Sequence, residues 1–93
     1  MNRQELERSW AITRAHLSAA ARLLPKDPVS GEGGCSLSQY REWLDHNELE
    51  LALDELACVG EENAVPREFW LQLIEAAQNM NLPAHAEAYA RFL

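Results

Sequence analysis

Three histidines, two cysteines and fifteen carboxylates are the groups of this chain with chemistry to offer. His46 has the most suggestive spacing, with Glu42 one helical turn before it and Glu50 one turn after. On one unbroken helix these three would share a face. The helix is not expected to be unbroken, because Asn47 and Glu50 form a box-like start for a new one, and no HExxH or Cys/His set accompanies them. His46 therefore reads as a histidine near a helix C-terminus, favoured by the dipole and nearby carboxylates, and no metal is expected. His16 has no acid or cysteine at turn spacing and reads as a satisfied histidine at the core edge. His85 lies in the last segment, with Glu87 two residues on and facing away. Asp54 and Glu55 are adjacent, so on a helix they diverge and stay solvated. Cys35 and Cys58 form no CxxC unit and have no basic neighbour to favour a thiolate. A disulfide between them is conceivable but not expected in a reducing compartment. The reading is one loop thiol and one buried thiol acting as a small hydrophobe. No convergent catalytic set emerges, so neither an enzyme nor a cofactor is expected.

These groups have to be carried by helices. From about Arg3 to Leu24, Leu6, Trp10, Leu17, Ala20, Ala21 and Leu24 recur at helical spacings, widened by Ile12, Ala19 and Leu23. Arg3, Glu7, Arg14, Ser18 and Arg22 form the opposite, wet face, and Pro25 ends the helix. Residues 25–35 hold two prolines and three glycines and make the one long loop. It lacks a Gly-Lys-Ser/Thr ending, so it is no phosphate cradle; a linker is the first reading and a partner-contacting loop the second. Ser36 and Gln39 fit a capping box for a short helix carrying Leu37, Tyr40, Trp43 and Leu44. A third helix from Glu48 buries Leu49, Ala52, Leu53, Leu56 and Ala57, and Gly60 is placed to stop it. Pro66 suits the first position of a fourth helix with Phe69, Leu73, Ala76, Ala77 and Met80 on its core face. Asn81 closes that helix, and Pro83 opens a last short one with Ala88, Tyr89 and Phe92. No segment alternates with period two for long enough to be a strand. The expected fold is all-α, a compact antiparallel bundle of four to five helices forming a single domain over residues 1–93.

Composition narrows the partners. Eight basic against fifteen acidic residues give a formal net charge of -7, the wrong sign for nucleic acid or an anionic membrane. No apolar run approaches the roughly 20 residues needed to span a bilayer. The N-terminal Met1-Asn2-Arg3-Gln4-Glu5 lacks a signal-peptide layout, so a cytoplasmic location is expected. The charge is unevenly spread: between Arg41 and Arg67 there is no Lys or Arg, yet Glu42, Asp45, Glu48, Glu50, Asp54, Glu55, Glu61 and Glu62 all fall there. Carboxylates crowded without i,i+4 partners repel one another unless something external compensates, which points to a basic binding partner as well as to a solvated surface.

The run Glu42-Trp43-Leu44-Asp45-His46-Asn47-Glu48-Leu49-Glu50-Leu51-Ala52-Leu53-Asp54-Glu55-Leu56 resembles a motif of small bacterial immunity proteins, including the Maf-type family. Pro66-Arg67-Glu68-Phe69-Trp70 and Ala76-Ala77-Gln78-Asn79-Met80-Asn81-Leu82 are similar to the following helix of such proteins. The resemblance implies a protein that protects its producer by holding the catalytic domain of a cognate toxin inactive, and such toxins are often basic nucleases. On that reading the partner-binding residues are Glu42, Trp43, Asp45, Glu48, Glu50, Asp54 and Glu55, with no metal, cofactor, nucleic acid or membrane involved. The protein is then a monomer or weak homodimer. The alternative from another class is an acidic nucleic-acid mimic or antirepressor that occupies a DNA-binding protein.

Overall fold

Every apolar stripe read from the sequence becomes a helix in the computed structural model, which describes residues 2–29 and 33–93. The order is α1 (Arg3–Ala21), α2 (Leu37–Asp45), α3 (Leu49–Glu61), α4 (Arg67–Asn79) and α5 (Pro83–Ala90). They form a compact all-α globule, with no strand among the described residues. Its Cα radius of gyration is 12.6 Å, close to the value of about 12 Å usual for this length. α4 packs along α1 on one side and against α5 on the other, while α2 lies on α3. The core is Leu17 and Ala20 of α1, Tyr40 of α2, Ala52, Leu53, Leu56 and Ala57 of α3, Phe69, Trp70, Leu73, Ala76 and Ala77 of α4, and Tyr89 of α5.

Local chemistry sets the helix ends. Asn2 caps α1 by accepting from the Glu5 N–H at 2.8 Å, and Ser36 caps α2 by accepting from the Gln39 N–H at 3.1 Å. The reciprocal half of the expected box is absent, because the Ser36 N–H donates instead to Glu55 Oε2 of α3 at 2.7 Å. α2 and α4 end alike. Asn47 and Asn81 take left-handed conformations, φ 55° and 58°. The Glu48 and Leu82 N–H groups then reach back to Trp43 O and Ala77 O, each at 2.9 Å, in Schellman closures. Asn47 thus closes α2 and does not cap α3, whose N-cap, Glu48, makes no side-chain cap bond. The box-like Asn47–Glu50 pairing is corrected accordingly.

Three further expectations change. Gly60 does not stop α3 but lies buried in its last turn, where a Cβ would press on the Cε1 and Cζ of Phe69. The glycine is there to let a helix backbone meet an aromatic ring. In α1, Leu6 and Ile12 are exposed, whereas Thr13 is buried and accepts from Asn79 Nδ2 at 2.8 Å. The apolar stripe of α1 is covered only in its second half. Arg14, read as wet, donates from Nη2 to Leu44 O at 2.7 Å and to Asn47 Oδ1 at 2.9 Å, tying α1 to the closure of α2.

The cysteines overturn the free-thiol reading, since Cys35 and Cys58 are disulfide-bonded across 23 positions, with Cα atoms 6.1 Å apart. Periodicity could not reveal this, because the pairing arises only when α2 folds back on α3 and carries Cys35 to the C-terminal part of that helix. The expectation of free thiols, which rested on a reducing compartment, falls with it. The other flank of the loop is held as well. Asn63 accepts from the Val29 N–H at 2.9 Å and donates to Val29 O at 3.0 Å and to Val59 O at 2.8 Å. Residues 25–35 are therefore tied to α3 at both flanks, which a free linker would not be; residues 30–32 lie outside the described residues.

Two stability outcomes follow from these contacts. Gly60→Ala overpacks the Phe69 contact and is expected to cost about 1–3 kcal/mol in urea unfolding, with part of the loss recovered by adding Phe69→Leu. Removing the bridge with Cys35→Ser and Cys58→Ser together is expected to cost about 3 kcal/mol by loop-closure entropy. A lowered urea midpoint relative to the oxidised protein is the measurement that checks it.

Candidate functional site

α3 is covered by other helices around most of its girth, and its remaining strip carries the charge. Glu50 and Asp54, one turn apart, stand on this strip with Leu51 beside them, and Glu61 continues it. α2 adds Glu42 and Asp45, and the junction adds Glu48; all of these carboxylates are exposed. Glu42, Asp45, Glu48 and Glu50 have no hydrogen bond or ion pair from their side chains among the described residues. The two other expected site residues are placed differently. Glu55 is half-buried and accepts from the Ser36 N–H, so it helps hold the loop end. Trp43 is half-buried against the core and shows one side to a cleft with Gln39, Asp54 and the disulfide.

The acidic strip lies between two clefts. The first runs toward α2 and the loop end, floored by Cys35, Cys58 and Trp43. The second runs toward α5, lined by Asp54, Ala57, Glu61, His85 and Tyr89. Asp54 lies on both. Across the second cleft His85 Nε2 is 3.0 Å from Asp54 Oδ1, and Arg91 Nη2 is 3.5 Å from Glu61 Oε1. No sequence pattern announces these pairs, since their partners lie about thirty positions away on a separate helix and meet only through packing on α4. Leu51 was also missed, because at 42% exposure it falls just off the buried stripe.

The other two histidines lie elsewhere. His16 Nδ1 is hydrogen-bonded to Gln72 Oε1 at 2.8 Å, and Gln72 in turn donates to Glu68 at 3.0 Å, so His16 bridges α1 and α4. His46 is the exposed C-cap of α2. A third cleft, of about 390 Å³, opens between the first half of α1 and the closures of α2 and α4, and meets the acidic strip at Glu50. Leu6, Trp10, Leu49 and Met80 line it, with Glu50 at its edge. Asn79 on its wall is already engaged, donating from Nδ2 to Ser9 O at 2.9 Å and to Thr13 Oγ1 at 2.8 Å.

No protein-family model matches the chain, and neither does any curated protein or any solved structure.

The phenols report the local field. Burial pushes Tyr40 up to about 12, partly offset by Arg14 and Arg41. Burial raises Tyr89 as well, and Asp54, Glu61 and Glu50 add to the rise, so these carboxylates make the second cleft electronegative. Because both folded values exceed the ordinary 10.0, the unfolded chain loses these protons first as the solution is made alkaline. Stability from the two phenols is expected to be intact below pH about 10 and to fall steadily toward pH about 12. Tyr40→Phe should flatten part of that fall in denaturant titrations across the window.

Proposed function

We propose that this protein is a bacterial immunity protein that binds a cognate toxin domain with a basic surface and holds it inactive, through the acidic face of α2 and α3. The observation that carries the reading is the row of exposed carboxylates Glu42, Asp45, Glu48, Glu50 and Asp54. Within it, among the described residues, only Asp54 meets an internal partner, His85. Such a row is costly in isolation and complementary to a phosphate-binding surface, where opposite charges steer association and favour correct register. Leu51 offers apolar area within the row, and the exposed side of Trp43 offers more beside it. Glu55 contributes less, being engaged by the loop end. The resemblance of the run Glu42 to Leu56 to Maf-type immunity proteins, carried by the same residues, points to the same reading.

Co-expression with the toxin domain encoded beside its gene should restore growth and give a complex stable to gel filtration. Glu42→Lys with Glu48→Lys reverses two charges whose side chains have no hydrogen bond or ion pair among the described residues, so circular dichroism should be unchanged. The association rate at low salt is expected to fall by roughly tenfold or more, and rising salt should slow the wild-type association toward it. Unchanged association at low salt would move the interface off this face. Protection from the toxin without a complex would argue against binding as the mechanism.

A further inference from the structure

Two carboxylates and an imidazole converge at the rim of the cleft between α3 and α5. Glu50 and Asp54 project from successive turns of α3, and His85 reaches them from α5. One oxygen of each carboxylate and one ring nitrogen lie within 4.8 Å of one another. His85 is not a free surface group: its side chain is only 25% exposed, and its ring packs edge-on to the buried Tyr89, centroids 6.2 Å apart. The nitrogen is thus held in place by packing on a second helix, which separates this set from a mere crowd of surface acids. Glu50 has no internal partner among the described residues, Asp54 meets only His85, and Arg91 on the same face pairs with Glu61.

We propose that Glu50, Asp54 and His85 form a binding site for a late first-row divalent cation of the zinc type. One imidazole with two carboxylates is a borderline nitrogen–oxygen set that suits zinc better than calcium or magnesium, which prefer oxygen alone. Bonds of about 2.0–2.2 Å require the three donors to close inward by roughly an ångström, within reach of exposed carboxylate rotamers. The ion takes the place of the proton between His85 Nε2 and Asp54, that proton moving to Nδ1 of the same neutral ring. Water completes the coordination on the solvent side. Ligation clamps α5 to α3, a contact otherwise made through side chains such as His85 and Arg91. It also lowers the negative charge of the strip by two.

The test needs no partner protein, so its outcome is independent of the proposed function. Zinc chloride is titrated into the oxidised chain, whose disulfide leaves no thiol of Cys35 or Cys58 to compete. Saturable single-site binding is expected by calorimetry, with a melting temperature that rises with zinc concentration and is unmoved by magnesium. His85→Ala and Asp54→Asn should each weaken binding by roughly tenfold or more, whereas His46→Ala should leave it unchanged. In the wild type, the imidazole resonances of His85, and not those of His46 or His16, should shift on zinc addition. This reading stands even if a variant folds poorly. No saturable binding at millimolar zinc, wild-type affinity in folded His85→Ala, or shifts confined to another histidine would each overturn the site.

Discussion

The structure turns on α3 being enclosed on most of its circumference. α1 and α4 press on one side and α2 on another, so Leu49, Ala52, Leu53, Leu56, Ala57, Val59 and Gly60 must all be buried within thirteen residues. That is too much apolar surface for a simple amphipathic helix, whose stripe is narrower. Its charged residues are confined to what remains. The acidic strip is thus a geometric consequence of burial elsewhere, and its density follows from its narrowness. The same enclosure explains Gly60, since a helix pressed against the Phe69 ring has no room for a Cβ at the point of contact.

Around that helix the connections are held by polar groups with little slack. Two asparagines close helices in left-handed conformations, where most side chains are disfavoured. Arg14 locks the first closure to α1, and Asn79 locks the end of α4 to Ser9 and Thr13. The loop before α2 reaches α3 through a disulfide, through Glu55 and through Asn63. A chain of 93 residues has a modest core, and cross-links of this kind supply order that burial alone would not. The aromatic cluster at the far end works similarly: Trp70 stacks on Phe92 at 4.1 Å and meets Phe69 edge-on at 5.0 Å, fixing the turn after α5 against α4.

On the two proposals made above, charge on the α3 strip would face competing uses. Asp54 lies between two clefts, shares a hydrogen bond with His85 and stands beside Glu50. A basic partner and a divalent cation would satisfy the same carboxylates, so occupancy by one weakens the electrostatic attraction for the other. Glu42, Asp45 and Glu48 stand outside the proposed cation set, so only a basic partner would engage them.

The all-α class, the five segments, the Ser36 cap and most of the core were legible in the sequence, because helical periodicity and capping are local properties of consecutive residues. The exposed carboxylates were legible too, since residues off an apolar stripe face outward by default. The disulfide, the Glu55 contact, the Arg14 staple, the burial of Thr13 and the His85–Asp54 pair were not. Each joins positions between 19 and 66 residues apart, and no local rule relates such positions. Gly60 shows the boundary most clearly. Its lack of a side chain reads locally as a helix stop, and only the approach of Phe69 from another helix turns that lack into a packing requirement. The sequence by itself decided which segments form helices and, outside the first half of α1, most of the face each helix hides. The tertiary structure decided which polar groups are consumed in holding those helices together, because that depends on which faces meet.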